Sequence, residues 1–239
     1  MKLSHGVAAV VLLASASVAH AELSGTITAV SDYDFRGISL SAKDPALQGS
    51  IDWAFDNGIY LGAWASNIDY GKGVDGNIEL DLYGGYAWET ESFGFDAGIV
   101  WYTYPDSSSS GKKEKISDYP EIYFGLSYEF LELKQWYTWD YGGTSDDAYY
   151  TEGNASFDLP ANFSVGGHLG YNYGDAFKNT EYWDYSIGVG YSLANFDFEL
   201  KWVDTSLSRD DAFFSKDDEF NSEGRVIFAV STTFPWGGE

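Results

Sequence analysis

Ile78-Glu79-Leu80-Asp81-Leu82-Tyr83-Gly84-Gly85-Tyr86-Ala87-Trp88 alternates with a period of two. Ile78, Leu80, Leu82, Tyr86 and Trp88 fall on one face; Glu79, Asp81 and Tyr83 fall on the other. Successive side chains of a strand point to opposite sides of its sheet. The stretch therefore reads as a strand with one apolar and one polar face. The pattern returns in Ile122–Tyr128, Trp183–Val189 and Phe196–Trp202. Extended along the chain, the spacing predicts twelve strands: 23–35, 46–55, 59–68, 77–88, 93–104, 120–130, 131–141, 149–159, 163–173, 182–192, 195–205 and 224–234.

The connections decide what these strands build. Those at 56–58, 89–92, 130–131, 160–162 and 193–194 are short, and those near 36–45, 69–76, 105–119, 142–148, 174–181 and 206–223 are long. Short periplasmic turns alternating with long extracellular loops mark an outer-membrane barrel. With residue 22 on the periplasmic side, every short connection falls inside and every long one outside. On the apolar face, aliphatic or small residues hold strand centres: Ile27 and Ala29, Leu80 and Leu82, Ala97 and Ile99, Ile187 and Val189. Rings hold strand ends: Tyr33, Trp53, Phe55, Trp88, Phe93, Trp101, Tyr171, Trp183, Tyr191, Phe196, Trp202 and Phe234. Two aromatic girdles suit the two lipid interfaces, whereas a soluble sandwich concentrates its large side chains between its sheets. The expected fold is an all-β, antiparallel transmembrane barrel of about twelve strands.

Residues 1–21 read as a secretory leader, with Lys2, an apolar run from Gly6 to Val18 and a small-x-small site at Ala19-His20-Ala21. Cleavage after Ala21 leaves 22–239 as one barrel domain. The run is shorter than the roughly 20 residues of a spanning helix. The mature chain has no Cys, hence no disulfide framework or thiolate metal site. The whole chain carries 37 Asp and Glu against 13 Lys and Arg. Such a surface repels nucleic acid, whose binding rests on phosphate neutralisation. An acidic disordered chain is excluded by the 18% of Phe, Trp and Tyr.

Several stretches resemble the TorF-type porins: Ser31-Asp32-Tyr33-Asp34-Phe35-Arg36-Gly37-Ile38-Ser39, Gln48-Gly49-Ser50-Ile51-Asp52-Trp53, Gly58-Ile59-Tyr60-Leu61-Gly62-Ala63-Trp64-Ala65-Ser66-Asn67, Glu79-Leu80-Asp81-Leu82-Tyr83-Gly84-Gly85-Tyr86, Tyr102-Thr103-Tyr104-Pro105 and Pro120-Glu121-Ile122-Tyr123. The match is specific over roughly the first half of the mature chain. The resemblance implies an outer-membrane barrel and a channel, and names no substrate or binding residue. One departure is the ending, where Phe234 is followed by Pro235-Trp236-Gly237-Gly238-Glu239.

Catalytic signatures are sparse. His168 is the one histidine left after cleavage at Ala21, too few for a paired-histidine metal motif. It falls on the polar face, where a hydrogen-bonded lumen residue is the simplest reading. No G-x-S-x-G turn is present to support an outer-membrane lipase. No catalytic residue, cofactor or metal is expected.

The inward face carries the functional expectation. It places acids at Asp52, Glu79, Asp81, Asp96, Glu121, Asp140, Glu152, Asp184 and Glu199, against the bases Arg36, Lys134, Lys201 and Arg225. Glu79, Glu121, Glu152 and Asp184 each take the first or second inward position of a downward strand, so they should form an acidic ring near the external mouth. Such a ring attracts cations and repels anions. Structurally, the same acids could pair with the four bases and cross-brace the wall. Twelve strands about 4.8 Å apart and tilted about 40° give a backbone radius near 12 Å, and Tyr83, Tyr102 and Tyr123 are expected to narrow the bore. The reading is a monomeric channel in outer-membrane lipid for small neutral or cationic solutes. The rivals are a plugged structural or adhesive barrel acting through its loops, and a lipase. N-terminal sequencing of the membrane-bound protein should begin at Glu22; an intact Met1 there contradicts the leader assignment.

Overall fold

The structure, a computed structural model, describes residues 22–71, 74–108, 114–208 and 221–235; the expected leader and residues 109–113 of the long connection expected near 105–119 lie outside them. Twelve strands run in chain order: β1 Glu22–Val30, β2 Ala46–Ala54, β3 Ile59–Asn67, β4 Ile78–Glu89, β5 Gly94–Thr103 and β6 Tyr119–Tyr128. They continue as β7 Leu131–Thr138, β8 Ala148–Leu159, β9 Phe163–Tyr173, β10 Tyr182–Leu193, β11 Phe196–Thr205 and β12 Arg225–Phe234. Each pairs antiparallel with its chain neighbours, and β1 pairs with β12 to close the barrel. Closure leaves no unpaired edge, a condition that lipid imposes on any spanning sheet.

The tight connections explain why the register holds. Tyr128 lies opposite Leu131, so Glu129 and Phe130 alone make the β6–β7 turn. Leu193 lies opposite Phe196 across Ala194-Asn195. Glu129 and Ala194 both adopt positive φ, the hand of two-residue turns that match strand twist. The opposite end carries the long connections.

Hydrophobicity is inverted relative to a soluble domain. Ile51 is 65% exposed and Ile187 is 60% exposed, and Leu47, Leu82, Leu133 and Val226 share their outward face. Rings pack along both rims of this band. At the turn end Phe130 meets Phe157 at 4.6 Å and Phe163 meets Tyr191 at 4.8 Å. At the loop end Tyr137, Tyr149 and Tyr173 follow one another at 4.9 and 5.2 Å. The expected girdles are therefore present, with one correction: Tyr33 is buried inside and takes no part in them.

The larger departure lies in the same segment. The strand expected over 23–35 stops at Val30, and the loop expected near 36–45 turns into the lumen. Asp34 and Phe35 pair with Ser39 and Ile38, leaving Arg36-Gly37 as a two-residue turn. Both turn residues have positive φ, 52° and 81°. Strand β7 also ends earlier than the expected residue 141, because Tyr141–Gly143 winds into a 3₁₀ turn.

The face assignment sets an expectation for folding. Leu82→Arg and Ile187→Arg place a cation in the lipid-facing band, which costs about 2–4 kcal/mol at the bilayer midplane. Ser186→Arg faces the lumen. Urea titrations of folding into lipid vesicles should give lower midpoints for the first two than for Ser186→Arg; equal midpoints contradict the assignment.

Candidate functional site: the lumen and its inward hairpin

Going down each strand, inward positions change from buried to accessible. On β8, Ala148, Tyr150 and Glu152 are buried, Asn154 is half-buried, and Ser156 and Asp158 are exposed. On β10, Tyr182 and Asp184 are buried, Ser186, Gly188 and Gly190 are half-buried, and Ser192 is exposed. The lumen is thus filled at the loop end and accessible at the turn end.

The filling is the hairpin of residues 31–45. The Arg36 guanidinium reaches β6 and grips Glu121 with both arms, Nη1 to Oε1 at 2.9 Å and Nη2 to Oε2 at 2.5 Å. It also lies 4.2 Å from the Tyr150 ring centroid. Tyr182 donates to the Arg36 carbonyl at 3.1 Å. Burial opposes the Arg36 charge, but Glu121 outweighs it and raises the pKa further, so the guanidinium stays charged. Gly37 passes so close to the wall that a β-carbon there would lie 2.3 Å from Thr205 Cγ2. On the far side, Arg225 of β12 bonds Asp32 and, at 2.6 Å, Asp34 Oδ1. Lys201 of β11 stands 3.6 Å from Asp34.

An aromatic and aliphatic dome seals the arrangement. Tyr33, Ile38 and Leu40 of the hairpin pack in one buried cluster with Ile68, Tyr104, Phe177 and Tyr182. Phe35 meets the Tyr102 ring edge at 5.9 Å, and Tyr102 stacks on Tyr119 at 4.8 Å. Tyr141 then bridges Tyr119 and Phe177 at 5.3 and 4.9 Å. Backbone bonds from Ser39 to Asn221 and from Asp69 to Leu40 tie the hairpin to two neighbouring loops.

The four proposed ring acids all face inward, on β4, β6, β8 and β10, and all are buried beneath this dome. Their partners differ. Glu121 takes Arg36, with Tyr102 donating at 3.1 Å. Glu152 accepts from Trp136 Nε1 at 2.7 Å. Asp184 accepts from Tyr150 at 3.0 Å and faces His168 Nε2 at 2.8 Å. Glu79 accepts from Tyr104 at 3.1 Å. Both His168 nitrogens are engaged, since Nδ1 meets Asn154 Oδ1 at 2.7 Å.

The other predicted lumen charges divide between wall and hairpin. Lys134 lies 3.6 Å from both Asp96 and Glu132. Asp52 accepts from Ser50 at 2.7 Å and from Tyr83. Asp81 is buried with one carboxylate oxygen, Oδ1, unpartnered. Arg36 enters the lumen on the hairpin and not on a wall strand. Arg225 and Lys201 pair with Asp32 and Asp34 of the hairpin, so these bases anchor the hairpin where cross-bracing of wall acids was expected. Sequence reasoning missed Asp32, Asp34 and Glu132. Gly37, a residue that takes positive φ without strain, flanked by Phe35 and Ile38, was the available sequence signal for a turn.

The tyrosines also lie differently from the expectation. Tyr83 covers Gly62 and Tyr123 covers Gly98; a β-carbon at either glycine would fall within 2.6 Å of the phenol oxygen. These two rings therefore lie along the wall. Tyr102 does narrow it, through its contact with Phe35.

The comparisons agree with this architecture. A KdgM porin in complex with disordered oligogalacturonate superposes with a TM-score of 0.55 at 12% identity, covering 88% of this chain and 99% of that one. The NanC porin gives 0.52 at 10% identity, covering 89% and 98%. At such identities the likeness shows the fold. No curated protein matches the sequence. The profile of Gcw_chp, described as a bacterial protein of unknown function, matches residues 14–234. The TorF-type likeness is thereby placed at a coarser level, that of this family and of a porin-type barrel. The chain belongs to the Gcw_chp family.

Proposed function

We propose that the chain is an outer-membrane channel for small neutral or cationic solutes, held closed in this conformation by the hairpin of residues 31–45. The observation that carries the reading is where the obstruction sits. The wall leaves a polar, accessible lumen over the turn-end half, and a loop segment fills the remainder. A loop can leave; a wall cannot. The orientation is read from the alternation of short and long connections, with the dome outside the cell and the accessible half towards the periplasm. The barrel is read as a monomer surrounded by outer-membrane lipid.

The charge of the lumen sets the solute class. Once the hairpin withdraws, Arg36 goes with it and Glu121 joins Glu79, Glu152 and Asp184 facing the lumen, with His168 as the wall base beside Glu152 and Asp184. Two unit charges 8 Å apart interact by about 2 kcal/mol at an effective dielectric of about 20. A passing cation would feel several such attractions. The oligogalacturonate held by the similar KdgM porin is a polyanion, and the acid-rich lumen here would repel one. A second reading, a permanently plugged structural or adhesive barrel, draws on the same closed dome and differs in predicting no conduction after the hairpin is released.

Arg36→Ala leaves Glu121 buried without its counter-charge, a loss of about 3–5 kcal/mol for a buried pair, so the hairpin should undock. In planar bilayers the parent should conduct rarely. Arg36→Ala, and a variant with residues 33–40 replaced by a short Gly-Ser linker, should open more often and prefer potassium over chloride. Replacing Glu79, Glu121 and Glu152 by Gln and Asp184 by Asn in the linker variant should move the reversal potential towards zero, most clearly in dilute salt. Silence from both open variants supports the plugged barrel; unchanged selectivity in the quadruple variant removes the ring.

A further inference from the structure

Two carboxylates at the loop end are left out of the pairing that serves the hairpin. Glu79 is 1% exposed and Asp81 is 8% exposed. They stand two residues apart on β4, about 6.5 Å at the backbone, and both point into the lumen. Glu79 Oε2 and Asp81 Oδ1 are buried with no hydrogen-bond partner. The bases nearby are committed elsewhere: Arg36 to Glu121, Lys134 to Asp96 and Glu132, and Arg225 and Lys201 to Asp32 and Asp34. Each ion withdrawn from water costs several kcal/mol unless something compensates it. No base among the described residues does so for this pair; Glu79 has only the neutral Tyr104 and Tyr33 phenols, and Asp81 Oδ1 has no partner.

The surroundings complete a box. In register, Ser66 lies opposite Glu79, and Trp64 and Tyr102 lie opposite Asp81 on the two flanking strands. Tyr33 of the hairpin covers it, with its ring 5.3 Å from Trp64. Burial, followed by the charges of Glu79 and Asp81, raises the Tyr33 phenol well above its ordinary value, so this lid is neutral. The neutral oxygens at hand are the Tyr104 hydroxyl, already on Glu79 Oε1 at 3.1 Å, and the Ser66 hydroxyl, itself buried.

We propose that Glu79 and Asp81 bind one hard divalent cation of the calcium class beneath the hairpin. Carboxylate and hydroxyl oxygens are the donors such ions prefer, and a charge of plus two neutralises the pair. No group of three or more acidic or histidine ligands converges among the described residues. Water must therefore complete the shell, and affinity should fall in the weak range of extracellular sites, about 10⁻⁴–10⁻³ M. The ion would brace the seat of Tyr33 and favour the docked hairpin. The site is argued from burial and pairing alone and stands whether or not the barrel conducts.

The probe is terbium, excited through the tyrosine and tryptophan rings of the box, with the mature protein folded in detergent micelles. Emission should saturate and be displaced by millimolar calcium. Glu79→Gln combined with Asp81→Asn should lose this component, whereas Asp56→Asn, in a turn at the other end, should keep it. Calcium at about 10 mM, some ten times the upper limit of that affinity range, should raise the melting temperature of the parent by a few degrees and leave the double variant unmoved. Identical terbium titrations for parent and double variant overturn the site, as does a calcium-independent melting temperature, the result expected if the two acids are simply protonated. Should the double variant fail to fold, terbium soaked into crystals of the parent decides by anomalous scattering. A peak about 2.3–2.6 Å from Glu79 and Asp81 oxygens is expected, and none at that position contradicts the proposal.

Discussion

The Arg36–Glu121 pair is the contact on which the closed lumen depends. Its two side chains are 6% and 2% exposed, so the charges meet where little water reaches. A buried pair of this kind is weak evidence for stability, yet breaking it by removing one partner is costly. It therefore specifies position: the hairpin has one place to put a guanidinium, and one carboxylate set to receive it in bidentate geometry. Arg225 and Lys201 repeat the logic with reversed sign, wall bases receiving the hairpin acids Asp32 and Asp34. The hairpin is thus locked by opposite charges on opposite sides of the bore.

This lock is possible because the barrel has already moved its apolar surface outward. Ile51, Leu82, Ile187 and their neighbours face lipid, leaving the lumen free to be polar. In a soluble domain the hydrophobic core would lie between the elements. Here the main buried apolar cluster sits at the loop end, built from Tyr33, Ile38, Leu40, Phe177 and a group of tyrosines. That dome keeps water from the ion pairs, and the ion pairs hold the hairpin that supplies Tyr33, Ile38 and Leu40 to the dome. Neither would be stable alone, because apolar rings at an open mouth would face water and unpaired acids under a dome would be desolvated.

Much of the wall was legible in the sequence because a period of two is a strong signal wherever one face meets lipid. Ile78–Trp88 and its counterparts place their side chains as the alternation requires, and the β6–β7 turn at Glu129-Phe130 falls where the junction was expected. The hairpin was not legible in the same way. Asp32 to Arg36 also alternates, so it extends the β1 pattern by periodicity alone. Gly37 and the switch of parity at Ile38-Ser39 break it, and arginine is an unusual choice for the first residue of such a turn. Inwardness of Glu79, Glu121, Glu152 and Asp184 followed from strand parity, but their burial did not, since burial depends on where a distant loop folds. The partners of Arg225 and Lys201 were hidden for the same reason.

The central claim is that the loop end of the lumen is the end closed to water. Ala148 and Ser156 test it directly, because both face inward on β8 and the chain has no native cysteine. Ala148 is 2% exposed beneath the dome, and Ser156 lies in the accessible half. Each replaced singly by cysteine, in the folded barrel, can be timed against a small charged thiol reagent. The account predicts rapid labelling at position 156 and strong protection at position 148, although 148 is the nearer to the loop-end rim. Equal rates, or faster reaction at 148, would mean that the hairpin does not fill the mouth.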